Sequence, residues 1–182
     1  MIESLISSKM RIKLLMKFFI NSSNKAYLRS LSEEFGDSTN GIRLELNKFE
    51  SSGFLKSFLV SNKKYYKANI KHPLFNDIHK ILLKTTGIND VLEYIIQRIG
   101  LINKVYLIGS YSNGLESKII DFLIVGDSIN KSFLMDQIEK VERKINKKIR
   151  FVIYDNKEFN YEEILNDKLH PLLLWKNDDW EP

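Results

Sequence analysis

Apolar positions in this chain follow a helical repeat, switch to strict alternation, and later mix the two, and these changes mark its elements. Over residues 2–21 they fall at Leu5, Ile6, Ile12, Leu15, Met16 and Phe19, close to the 3.6-residue period, which predicts one amphipathic helix ended by Ser22-Ser23-Asn24. Tyr27 and Leu28 lead into a short helix over 29–35, and Gly36 suits the left-handed C-cap that would close it. Asp37 or Ser38 is placed to cap a third helix that runs to about residue 51 and is stopped by Gly53. Its apolar stripe is Ile42, Leu46 and Phe49, so Thr39, Asn40, Arg43, Leu44 and Asn47 face outward, with Arg43 and Asn47 one turn apart. After Gly53 the period drops to two. Residues 54–60 and 64–68 read as strands joined by Ser61-Asn62-Lys63, a hairpin with a basic tip.

A further helix is predicted over 74–86, entered through His72-Pro73, and Thr85-Thr86-Gly87 marks the boundary between two domains, 1–86 and 87–182. The second begins with an amphipathic helix over 88–99. A strand over 105–108 then runs into Gly109-Ser110 and a stretch of turn formers, and a second strand over 119–125 ends at Gly126. A helix over 131–146, a strand over 149–154, a helical segment over 161–166 and a short strand over 172–175 complete the order. The fold class is therefore two-domain, α+β / α/β. Gly109 allows a sharp turn, and a helix starting just after it would aim unpaired N–H groups at a bound phosphate, which makes Gly109 and Ser110 the candidate nucleotide-binding pair.

Composition adds exclusions. With 43% hydrophobic and 28% charged residues, the chain has the balance of a soluble globular protein, and its most apolar early run is broken by Lys13 and Lys17, so neither a membrane span nor a signal peptide is expected. The absence of cysteine rules out disulfides and thiolate metal sites and fits a cytoplasmic location, while His72, His79 and His170 are too scattered for a metal cluster. Charge is unevenly spread. Residues 1–84 hold 15 Lys and Arg against 7 Asp and Glu, whereas residues 85–182 hold 13 against 16. A basic first half points to a polyanionic partner for that half alone.

The helix, helix, hairpin order, and in particular the segment YLRSLSEEFGDSTNGIRLELNKFESSGFLKSFLVSNKKYYKANIKHPLF, resembles the ArsR-like winged helix-turn-helix regulators over about residues 5–86. The resemblance implies three helices plus a β-hairpin wing and a following helix, double-stranded DNA as partner, and a homodimer packed through the first and last helices. It places the third helix in the major groove, with Thr39, Asn40, Arg43 and Asn47 as candidates for base or backbone contact and Lys48, Lys63 and Lys64 as phosphate contacts. Leu44 departs from the polar residue common at its position.

The order strand, Gly-Ser, spacer, then an acid inside an apolar strand followed by Gly resembles the minimal bacterial nucleotidyltransferases over about residues 88–175, which implies a mixed sheet with flanking helices for the second domain. In that family the second strand carries two acids one residue apart, and a third sits on the strand after the long helix; together they hold Mg²⁺ against the triphosphate. Here the matching positions are Ile119, Asp121 and Arg150 or its neighbour Phe151, so two of three acids are replaced. Glu116, Asp127 and Asp155 are near in sequence but none has the strand phase of Ile119. The expectation is a DNA-binding transcriptional regulator whose nucleotidyltransferase-like domain is catalytically silent, needs no cofactor, and serves for sensing, dimerisation or partner contact. Two alternatives are an active nucleotidyltransferase or antitoxin-like protein that uses Asp121 with Mg²⁺ and nucleotide, and an accessory protein with neither activity. A nucleotide held at Gly109 and Ser110 without a metal pair is a further possibility.

Overall fold

The computed structural model describes residues 6–98, 101–166 and 169–178, and divides into two compact units, Met1–Thr85 and Thr86–Pro182. In the first, α1 (Lys9–Leu15) is capped by Ser8, whose Oγ accepts from the Arg11 N–H at 3.3 Å, and continues as a π-helical turn, Met16–Ile20. The single helix expected over 2–21 is thus shorter, and it widens at its end. Within the wide turn the Lys17 carbonyl accepts a bond of 2.9 Å from the Asn24 side chain, a partner outside the helix; residues 2–5 of the predicted helix lie outside the described residues. A strand that periodicity did not reveal, β1 (Lys25–Tyr27), comes next, then α2 (Leu28–Phe35), ended by Gly36 at φ +66°, and α3 (Thr39–Ser51), capped by Ser38 on the Gly41 N–H.

Strands β2 (Leu55–Val60) and β3 (Lys63–Ala68) pair antiparallel with Val60 opposite Lys63, and β1 joins the outer side of β3 to give the order β1-β3-β2. The turn is therefore Ser61-Asn62 alone. Lys63, expected in the loop, already belongs to the strand, because Ser61 at φ +50° reverses the chain one residue sooner. Leu14, Phe18, Ile20, Leu31, Ile42 and Leu46 are fully buried and form the core of the helices; Arg11 of α1 is tied to Glu45 of α3 at 3.0 Å. Helix α4 (Phe75–Thr86) follows. The His72 ring lies 4.1 Å from that of Phe54 and its Nδ1 accepts from the Leu74 N–H, so this histidine fixes the entry to α4.

The second unit starts with α5 (Ile88–Arg98) and builds a four-stranded sheet in the order β6-β5-β4-β7. Strand β4 (Leu101–Ile108) runs antiparallel to both β5 (Ile119–Asp127) and β7 (Leu172–Lys176), while β6 (Lys148–Tyr154) runs parallel to β5, the two connected through α7 (Lys131–Ile145). Between β4 and β5 stands α6 (Gly109–Ser112), and α8 (Tyr161–Asn166) precedes β7. Alternation along β5 sends Ile120, Phe122 and Ile124, all fully buried, to one face. The other face carries Asp121, Leu123 and Val125; Leu123 and Val125 pack with Tyr106 and Ile164, leaving Asp121 at the open end of that layer.

Candidate functional site

The end of β4 and the start of β5 meet at the glycine turn. Gly109 adopts φ +71°, and a side-chain carbon built on it would stand 2.6 Å from Oδ2 of Asp121, so only glycine lets the turn lie against that carboxylate. The turn is closed by its own groups. The Gly109 carbonyl accepts from the Asn113 side chain and from the Ser112 hydroxyl, each at 2.9 Å, and the Ser110 carbonyl accepts from the Leu115 N–H at 2.9 Å. Tyr111 is fully buried; its hydroxyl donates to the Ser117 carbonyl at 2.9 Å and accepts from Lys147. The helix expected after Gly109 is a single turn of four residues, too short to build the aligned dipole that a phosphate site at a helix start relies on.

Register places Asp121 beside Arg150 and Ile119 beside Lys148. The Arg150 Nε donates to Asp121 Oδ1 at 2.6 Å, and the carboxylate holds the guanidinium above its usual pKa, chiefly through that hydrogen bond. A divalent cation asks for several oxygen ligands converging at 2.0–2.6 Å. Here Ile119 offers none, Asp121 is already engaged by a fixed positive charge, and no group of three His, Cys, Asp or Glu among the described residues could share an ion. The residues present do not fit a Mg²⁺ pair. Asp127, read from sequence as out of phase, does share the alternation of Ile119 and Asp121, but it lies six residues beyond Asp121, about 20 Å along the strand, and both its oxygens are held by Asn156. Glu116 is 4.0 Å from the Lys147 ammonium.

In the first unit, an open cleft of about 680 Å³ lies between the start of α2, the exposed face of α3 and the β2–β3 turn. It brings together Thr39, Arg43 and Asn47 with Lys63 and Lys64, residues up to 25 positions apart in sequence. The exposed Arg43 side chain makes no hydrogen bond or ion pair among the described residues. Lys63 holds its ammonium 4.6 Å from the Tyr27 ring, and Lys64 is anchored to Glu50 at 2.7 Å, which raises its pKa, the hydrogen bond being the main cause. Asn40 and Lys48 are exposed on α3 but do not line the cleft, and Lys48 is paired with Glu45 at 3.0 Å. Tyr27, Arg29 and Asn62 also line it and escaped the sequence reading. The signal for Arg29 lay in its place at the head of α2; Tyr27 is brought in only by its pairing with Tyr65.

No protein-family model and no curated protein matches the chain. Among solved structures it is similar to a mutant form of the toxin–antitoxin pair MntA–HpeT, with a TM-score of 0.40 and 18% identity over 50% of this chain and 73% of that one. It is also similar to a toxin–antitoxin complex with AMP-PNP, at 0.39 and 17% over the same shares. A third is a Sulfolobus solfataricus protein described as a nucleotidyltransferase, at 0.36 and 22% over 56% of this chain and 88% of that one.

Proposed function

We propose that this chain is a DNA-binding regulator whose second unit keeps the framework of a nucleotidyltransferase without its metal chemistry. The observation that carries the first part is the cleft in which Arg43, Asn47 and Thr39 of α3 face Lys63 and Lys64 of the hairpin. Arginine and asparagine can each make paired hydrogen bonds to base edges, and the lysines flank them as phosphate contacts would, which is how a winged helix-turn-helix would sit in a major groove. The order of α1 to α3, the β2–β3 hairpin and α4 supports that assignment. A homodimer reading two half-sites is part of the proposal, with α1 and α4 as the pairing helices.

For the second unit, the order β4, glycine turn, β5, α7, β6 supports the nucleotidyltransferase framework, and the Arg150 to Asp121 pair supports the loss of catalysis. The test is selection of bound duplexes from a genomic library followed by mobility-shift titration. An Arg43→Ala/Asn47→Ala double variant should bind selected DNA at least about tenfold more weakly, since each paired base contact is worth roughly 1–3 kcal/mol. Lys63→Gln should lower the salt slope by about 0.9. Unaltered binding by the double variant would remove the assignment of α3. Transfer of a labelled nucleotide in Mg²⁺ or Mn²⁺, lost in Asp121→Ala, would instead establish the active-enzyme alternative.

A further inference from the structure

The three strands of the first unit, KAY, LKSFLV and KKYYKA, contain no acidic residue. Directly opposed residues of antiparallel strands share a face, so the pairing of Lys25 and Lys56 with Lys67 puts three lysines in one row across the sheet. Two residues along, Tyr27 and Phe58 pair with Tyr65 and form a parallel row of three rings on the same face. The Tyr27 and Tyr65 centroids are 5.2 Å apart, and Phe58 is stacked on Tyr65 at 5.9 Å with 23° between planes. All three lysines are exposed and the rings half-buried. The opposite face, with Ala26, Leu55, Tyr66 and Ala68, is the buried one.

These lysines differ from others in the unit. Lys13, Lys17, Lys48 and Lys64 each hold a carboxylate. Among the described residues Lys25, Lys56 and Lys67 hold none; Lys67 instead lies 5.5 Å from the Phe58 ring. The face thus presents uncompensated positive charge beside an aromatic row.

We propose that this face of the β1-β3-β2 sheet binds single-stranded nucleic acid, with bases stacked on the row of Tyr27, Tyr65 and Phe58 and phosphates along the row of Lys25, Lys67 and Lys56. The charge asks for a polyanion, and the rings choose which one. Unpaired bases carry an exposed π-face at every step, whereas acidic peptide would use the lysines and leave the rings idle. Two residues of strand separate the rows by about 7 Å, comparable to the distance between base and phosphate within one nucleotide. A duplex, whose bases are covered by their neighbours, cannot use the rings. The face is distinct from the α3 cleft, sharing only Tyr27 and Lys63 at its rim.

The test uses the full chain and fluorescence anisotropy of a labelled oligothymidylate of about 20 nucleotides, longer than the 4–16 that one stacking module covers. Lys25→Gln/Lys56→Gln/Lys67→Gln, which removes no internal ion pair, should lower the salt slope by about 2. Phe58→Leu and Tyr65→Leu, with melting temperatures within a few degrees of wild type, should each weaken binding about fivefold or more. Arg43→Ala/Asn47→Ala should leave this binding unchanged while losing duplex, which separates failure here from failure of the α3 assignment. The proposal is overturned if an abasic strand of equal length or poly-L-glutamate competes as well as oligothymidylate, if the triple lysine variant binds as wild type, or if no single strand binds.

Discussion

Replacement of Gly109 by alanine tests the geometry on which the second unit's site rests. At φ +71° a residue with a side chain costs about 1–2 kcal/mol relative to glycine. The added methyl would also stand 2.6 Å from Asp121 Oδ2, 3.2 Å from its Cγ and 3.3 Å from its Cβ, so the carboxylate must turn away. It is not free to do so without cost, because its other oxygen holds Arg150 at 2.6 Å and its side chain is only 13% exposed. The expected loss is about 2–4 kcal/mol, combining backbone strain with a clash in the range of contact coupling energies. Both tryptophans lie in the second unit, so urea unfolding followed by tryptophan fluorescence reads that unit alone.

The double-mutant cycle separates the two contributions. In an Asp121→Ala background the nearest obstruction is gone, and the penalty of Gly109→Ala should fall to the backbone part, leaving a coupling of at least about 0.5 kcal/mol. An equal penalty in both backgrounds would show that Asp121 does not pack against the turn. No penalty in either would refute the left-handed turn itself.

Three further outcomes are expected. Glu45 is held below its ordinary pKa of about 4.5, first by the hydrogen bond from Arg11 and also by Lys48, so the stability it lends is full above that value and is lost as pH falls through the lower folded-state value; the stability difference between wild type and Glu45→Gln should be flat above pH 5 and shrink below about 4.5, and a difference that grows on acidification would contradict the ion pair. Calorimetric titration should show no Mn²⁺ binding to the wild type, whereas Ile119→Asp/Arg150→Asp, which puts three carboxylates on neighbouring strand positions, should bind it; wild-type binding abolished by Asp121→Ala would show that the site accepts a metal after all. Among the described residues the buried Oε1 of Gln137 has no hydrogen-bond partner, and it sits beside a cavity of about 10 Å³ lined by Val91, Ile95 and Ile138, so Gln137→Leu should stabilise the second unit by about 1–2 kcal/mol in thermal melts; destabilisation would mean that the amide is satisfied in solution.

Much of the element order was legible because helices and hairpins announce themselves locally. Ile42, Leu46 and Phe49 repeat at helical spacing and are buried as that spacing requires, and Gly36 and Ser38 end and start helices where a left-handed residue and an Ncap serine should. What escaped was set by partners far along the chain. Strand β1 has three residues, too few for alternation to show, and is a strand only because β3 lies beside it. The wide turn at Met16–Ile20 depends in part on an external donor, Asn24. The phase of Asp127 was open to sequence reading, but its engagement with Asn156 was not.

By itself the sequence determined which side chains are available: a basic first half, a glycine turn, one acid where the family resemblance calls for three, and an arginine where it calls for one of them. These follow from residue identity and from periods of two and 3.6, which adjacent positions carry on their own. Only the tertiary structure decided which of those side chains meet. Pairing of β5 with β6 brings Arg150, 29 residues away, onto Asp121, and pairing of three strands turns scattered lysines and rings into two ordered rows. A one-residue slip of β3 would leave the sequence intact and send Tyr65 and Lys67 to the opposite face, breaking both rows, because side chains alternate along a strand.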